Sequence, residues 1–390
     1  MSHHREDILP RTSGEKVIHG GEPSVWKIPR QMGSFGPKAM ITGGMGYCGF
    51  HLGCALLQEG IGVVLLDRSE PKRDLPQGAV FVQADVRDYE KVFQASEGID
   101  TMFHLASFGM SGDEQVKKFE EIESINVGGT KVVIDVCKSR NISKLIYTSS
   151  VTVIFGGDPI EDGDETLPYF PLEKQADNYS RSKTIAEQMI LAANGASLQG
   201  GGTLRTCALR PSGIYGPGEN KIIPRIFKTI QTYLKYFTFD TTGTWMNWVD
   251  IYNLIQACLL ASRALTAERN FIASGQAYFV NDGEKVNFFE WTSVVYKTLG
   301  RQKPRLILPG VLLKIAVTMA EYLYWVLKPI FNITPLLTKR EVEHLLVTYT
   351  FRIDKARKQL GYHPKKYSLA EVMDDYLRRK SMCEEKGCPS

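Results

Sequence analysis

TGGMGYCG, residues 42–49, is the stretch on which the fold reading turns. It follows a short apolar run, KAMIT (38–42), and opens into FHLGCALLQEG (50–60), whose apolar spacing is helical. Gly43 permits a tight turn, Gly46 lets backbone approach a pyrophosphate, and Gly49 lets the helix pack close to the strand. The helix N-terminus adds unpaired N–H groups and partial positive charge. A glycine pattern alone means little; between a strand and a helix it points to a dinucleotide.

The next apolar run, GVVLLD, ends in Asp67, twenty-one positions after Gly46. An acid there accepts hydrogen bonds from the adenosine ribose and repels a 2′-phosphate, so NAD is the expected cofactor. Arg68 follows and could pair with such a phosphate, which keeps NADP as the second choice. Asp85 and Val86, after the third run, are placed to meet the adenine, unless Asp85 only caps the following helix.

Outward from this core, GVVLLD, AVFVQA, TMFHLA, KLIYTSS and RTCALR alternate with helical segments at intervals of ~25–40 residues, as in βαβ crossovers. Strands apolar throughout imply a parallel sheet covered on both faces. The expectation is an α/β fold: a doubly wound parallel Rossmann sheet over 37–214, with a smaller C-terminal substrate lobe over 215–375. Residues 1–36 read as a polar, mobile extension, 195–202 as a surface loop, and 376–390 as a polar tail.

Composition narrows the function. With 390 residues and 43% hydrophobic content the chain can build a core, which excludes intrinsic disorder. A net charge of +4 gives no basis for nucleic-acid binding. Seven cysteines without a C-x-x-C pair suit a reducing compartment. The start, MSHHREDILPRTSGEK, has no apolar secretory core, and the histidines lack metal-site spacing, so neither secretion nor a metal is expected.

Tyr179 and Lys183 stand four apart in YSRSK at the head of a helix, hence on one face. A phenol with a pKa of ~10 is a poor base near neutrality. A nearby ammonium and an oxidised nicotinamide would stabilise its phenolate, so that it could take an alcohol proton while hydride leaves. Ser150 is the expected hydroxyl on the substrate oxygen, with Ser149 as its alternative, because successive strand side chains point to opposite faces. Both could instead be turn hydroxyls. Asn126, in INVGGT, is a candidate water ligand in a proton relay or an ordinary helix-surface amide.

TGGMGYCG, FHLAS, NVGGT, YTSS, YSRSK and RPSGIYGPG occur in the order found in extended short-chain dehydrogenase/reductases. FHLAS, YTSS and FRIDKARKQLGYHP resemble the 3β-hydroxysteroid dehydrogenase branch. HLASFGMSG, VIFGGD, RTCALRPSGIYGPGE and IASGQAYFVNDG are similar to family 42E. The likeness covers about 38–375. It implies Tyr179 as proton acceptor, Lys183 orienting tyrosine and nicotinamide ribose, Ser150 assisting, and Pro211 beside the nicotinamide. It also implies oxidation or reduction at the 3β-hydroxyl of a steroid or sterol. Residues 1–36 have no counterpart in the family pattern. Two other functions stand beside this one: a nucleotide-sugar epimerase or reductase, and a cofactor-binding regulatory protein without turnover.

The lobe holds an aromatic stretch, 232–250, with Tyr233, Tyr236, Phe237, Phe239, Trp245 and Trp248, suited to an apolar substrate or to a core. LILPGVLLKIAVTMAEYLYWVL (306–327) is long enough to span a bilayer. Lys314, Thr318 and Glu321 form a polar stripe, which favours a helix lying on a membrane through the face of Leu313, Val317 and Tyr324. A buried or dimer-forming helix is the alternative. The expected location is the cytoplasmic side, soluble or peripheral to a membrane such as the endoplasmic reticulum.

Overall fold

The computed structural model describes residues 36–71, 73–110, 119–175, 177–232, 234, 236–241, 243–327 and 339–385. The polar extension lies outside these residues except for Gly36, as do Tyr233 and the end of the tail, 386–390.

Seven strands form the central sheet: β1 (Lys38–Thr42), β2 (Gly62–Asp67), β3 (Ala79–Gln83), β4 (Thr101–His104), β5 (Lys144–Thr148), β6 (Arg205–Pro211) and β7 (Gln276–Val280). Their spatial order is β3-β2-β1-β4-β5-β6-β7, every neighbouring pair parallel. The order reverses between β1 and β4, and ligands of open α/β sheets bind beyond the strand ends at such a point.

Around the sheet and lobe lie α1 (Tyr47–Gln58), α2 (Tyr89–Ala95), α3 (Phe119–Glu123), α4 (Gly129–Arg140), α5 (Asn178–Ala192), α6 (Ile222–Thr232) and α7 (Ile251–Ala264). They are followed by α8 (Ser293–Thr298), α9 (Gly310–Leu327), α10 (Lys339–Leu346) and α11 (Leu369–Glu385). Alternation along the strands feeds two cores. Ala39, Ile41, Leu65 and Phe103 join α1 and α7 on one face; Met40, Leu66, Met102 and Leu145 join α2, α4 and α5 on the other. The boundary expected at 214/215 does not end the sheet. α7 and β7 return to it, because QAYFV is a buried apolar strand that pairs with β6.

The lobe has its own small core of Ile223, Phe227 and Ile230 from α6, Val295 and Tyr296 from α8, and Leu369, Val372 and Met373 from α11. The segment KKYSLAEVMDDYLRR (365–379) therefore packs against the lobe. Its helix runs on to Glu385, so the described part of the polar tail, 376–385, is helical.

The apolar stretch 306–327 is not one helix. Leu306–Leu308 is a strand paired with Phe237–Phe239, and α9 starts only at Gly310. No helix among the described residues is long and apolar enough to cross a membrane. The face assigned to lipid is also corrected. Val317 and Tyr324 are buried, 7% and 8% exposed, on the side of α9 whose neighbour is α10. The exposed apolar residues are Val311, Leu312, Ile315, Met319, Tyr322, Leu323 and Val326. Hydrophobic spacing marked the helix; which of two apolar faces is covered was decided by its neighbour.

Val317→Asp should therefore destabilise the fold by about 2–4 kcal/mol in urea unfolding, because it buries a carboxylate. Tyr322→Asp, at an exposed position, should change stability by less than about 0.5 kcal/mol.

Candidate active site

The phosphate loop is built as its glycines require. Gly43 has φ +69°, and a Cβ on Gly49 would lie 2.2 Å from the Gly43 carbonyl oxygen. Nothing larger than glycine lets α1 begin this close to the loop. Gly46 is the N-cap of α1, is exposed, and supplies no side-chain cap, so the first N–H groups face outward. That uncapped cradle fits a pyrophosphate.

Asp67 ends β2 half-buried. Its Oδ2 accepts from the Met45 N–H at 3.1 Å and its Oδ1 from the Ser69 N–H at 3.0 Å, so it braces the loop. Asp85 is gripped by Arg87, with Nε at 2.8 Å from Oδ1 and Nη2 at 2.6 Å from Oδ2. This side-chain hydrogen bonding holds its carboxyl below the usual range. It does not cap α2; that cap is Asp88, which accepts from the Lys91 N–H. Val86 is buried against α4, where a Cβ on Gly129 would meet it at 2.5 Å.

At the other end of the cleft, Asp177 caps α5 by accepting from the Ser180 N–H at 2.9 Å. Tyr179 and Lys183 then follow on one helical face, both buried. The Lys183 Nζ donates to the Thr148 carbonyl at 2.5 Å and lies 4.2 Å over the Tyr147 ring. Burial brings this ammonium down to about 7, with Glu187 acting to raise it. Burial pushes the Tyr179 phenol up to about 12, against a hydrogen bond with Ser107 that lowers it. Lys183 is not among the groups that shift this phenol; its ammonium is directed to the Thr148 carbonyl.

Ser149 and Ser150 separate cleanly. Ser149 is buried, and its hydroxyl has no hydrogen-bond partner among the described residues. Ser150 is half-buried at the end of β5, and its Oγ accepts from the Thr152 N–H at 3.2 Å, leaving its own proton to donate. Asn126 is buried, not a surface amide. It lies in a π-helical turn, Ser124–Gly128, between α3 and α4. Its Oδ1 accepts from the Phe108 N–H at 2.8 Å, and its Nδ2 donates to the Phe108 carbonyl at 2.9 Å and to Ser182 Oγ at 2.8 Å. With both amide hydrogens engaged, the side chain ties the loop after β4 to α5. Pro211 is buried at the end of β6.

Three participants were not singled out in the sequence. Ser107 belongs to FHLAS, and its contact with Tyr179 exists only once β4 and α5 meet. His104, from the same motif, bridges Thr42 Oγ1 at 2.7 Å and Thr130 Oγ1 at 2.9 Å, joining β1 to α4. Burial, then the charge of Lys183, brings its imidazole down to about 3, so it is neutral. One turn beyond Lys183, the Glu187 carboxylate accepts from Arg210 Nη2 at 2.6 Å and from the Tyr169 hydroxyl at 2.8 Å. Both ions are nearly inaccessible, and they join α5 to β6.

The model of the 3-beta hydroxysteroid dehydrogenase/isomerase family matches residues 40–310. The chain belongs to that family. Short-chain dehydrogenase/reductase family 42E member 1 of Homo sapiens is 45% identical over 341 residues, 86% of either chain. A Mycobacterium tuberculosis protein named 3 beta-hydroxysteroid dehydrogenase/Delta 5-->4-isomerase is 33% identical over 332 residues, covering 84% of this chain and 86% of its own. Among solved structures, the dTDP-glucose 4,6-dehydratase DesIV of Streptomyces venezuelae, with NAD and TYD bound, superposes with a TM-score of 0.66. That likeness, at 18% identity over 88% of this chain and 98% of the other, is one of fold.

The aromatic stretch of this family member does not form one wall. Trp248 stacks on Trp291 at 4.4 Å, Phe237 and Phe239 meet edge to face, and Tyr236 and Trp245 are exposed. Tyr233 is outside the described residues.

Arg210→Met should cost about 3–5 kcal/mol in urea unfolding, because it leaves Glu187 as a buried, uncompensated charge. Replacing both partners, Arg210→Met with Glu187→Leu, should recover most of that loss.

Proposed function

We propose that the chain is an NAD-dependent oxidoreductase that interconverts a secondary alcohol and its ketone, the substrate being the 3β-hydroxyl of a steroid or sterol. The observation that carries this reading is the pairing of buried Tyr179 and Lys183 on α5 with a phosphate loop at the same edge of the sheet. Bound NAD supplies the hydride acceptor. Tyr179 takes the hydroxyl proton, Lys183 holds a positive charge on the same helical face, and Ser150 donates a hydrogen bond to the substrate oxygen. A phenol at about 12 needs further positive charge before it works near neutrality. An oxidised nicotinamide fits that need. Asp67 at the ribose end supports NAD over NADP. The steroid class is supported by the family and by the mycobacterial relative's name.

Tyr179→Phe should lower turnover of a hydroxysteroid panel by about 10²–10⁴-fold while the NAD dissociation constant stays within about threefold. Reduced cofactor is followed for turnover and calorimetry for binding. Turnover near the wild-type rate would remove Tyr179 from the chemistry.

We further propose that α9 rests on a membrane surface through its exposed apolar face. Leu306 and Ile307, just before α9, are exposed too, as are Arg301, Lys303, Arg305 and Lys314, so an anionic bilayer suits both the polarity and the charge of this segment. Sedimentation with phosphatidylserine vesicles should fall at least about fivefold in Met319→Asp/Tyr322→Asp, with turnover of a water-soluble alcohol retained. A wild type that ignores vesicles, or a dimer that the same substitutions dissociate, would assign the face to protein instead.

A further inference from the structure

Two arginines stand at the ribose end of the sheet, and each is held by an acid. Arg87 is engaged by Asp85 and also donates from Nη1 to Ser124 Oγ at 3.1 Å. Arg68 follows Asp67 directly, where a guanidinium is placed to accommodate a ribose 2′-phosphate. Its Nη1 instead lies 3.0 Å from Glu121 Oε1, and its guanidinium sits 5.0 Å over the Phe108 ring. The Arg68 carbonyl is held by Gln83 Nε2 at 3.3 Å, and both backbone polar groups of Phe108 are clamped by Asn126. Arg68 is thus drawn toward α3 by a charge, over a ring whose position is fixed from the catalytic side.

We propose that Glu121 is a specificity-determining residue: by engaging Arg68 it withholds the arginine from a 2′-phosphate. This rests on the NAD preference proposed above and names the residue that enforces it. The two side chains keep 44% and 30% of their surface exposed, so the pair contributes little to folding. Its effect belongs to ligand choice. An incoming phosphate competes with a carboxylate for the same donor, and the carboxylate is already in place without loss of translational freedom. Glu121 lies in α3, 53 positions from Arg68, so no motif around the phosphate loop contains it.

The test is calorimetric binding of NAD, NADP, ADP and adenosine 2′,5′-bisphosphate to the full chain, with NAD- and NADP-linked turnover beside it. The wild type should bind NAD more tightly than NADP. Glu121→Gln should tighten NADP and the 2′,5′-bisphosphate by about three- to tenfold, with NAD and ADP shifted by less than about twofold. Arg68→Met combined with Glu121→Gln should lose that gain. Thermal midpoints should stay together across the set, which separates ligand choice from a folding defect. If Glu121→Gln binds NADP no better, the assignment to Glu121 falls while the NAD reading stands. If the gain persists without Arg68, Glu121 acts only by its own charge, and its control of the arginine is wrong. A wild type that prefers NADP overturns both.

Discussion

A buried ammonium must find an acceptor, and the Thr148 carbonyl at the end of β5 meets that need for Lys183. Much of this edge of the sheet follows from this one contact. It fixes the first turns of α5 against β5, and so sets where the Tyr179 phenol stands. One turn further on, Glu187 and Arg210 bind the same helix to β6, with Tyr169 completing the carboxylate's shell. A helix tied to two adjacent strands by buried charges has little freedom to slide. Asn126 adds a third tie from the opposite side, through Ser182.

The half of this edge around the glycine loop is held by a different kind of constraint. There the backbone packs so closely that side chains are excluded, as at Gly49 over the Gly43 carbonyl. Asp67 links this loop to the ribose end through the Met45 N–H. The two halves meet at the loop after β4, where Ser107 reaches Tyr179 and Phe108 lies under Arg68. A fold shared with a sugar-nucleotide dehydratase does not by itself select an alcohol. Selection rests on the groups hung from these loops and on the lobe that covers them.

The lobe shows how far an apolar composition can mislead about a surface. Trp248 is part of a stacked core pair, while Tyr236 is largely exposed only twelve positions earlier. In α9, both sides are apolar, and packing against α10 buries one of them. Apolar residues on the outer side are then left without cover from the fold.

What the chain determined by itself is whatever depends on neighbours in sequence. The strand–glycine loop–helix unit, the acid closing β2, and the four-residue step from Tyr179 to Lys183 are local geometry, so the parallel sheet and the candidates for the site could be read directly. The different surroundings of Ser149 and Ser150 needed the end of β5 in place, since only there does one hydroxyl become buried and the other cap a turn. The return of 276–280 to the sheet, the Glu187–Arg210 pair, the bridge through His104, and the contact of Glu121 with Arg68 join residues from 23 to more than 60 positions apart. The covered face of α9 was likewise outside the reach of periodicity. Spacing reports which residues share a face of one element; which faces meet is settled by the tertiary packing that desolvates them together.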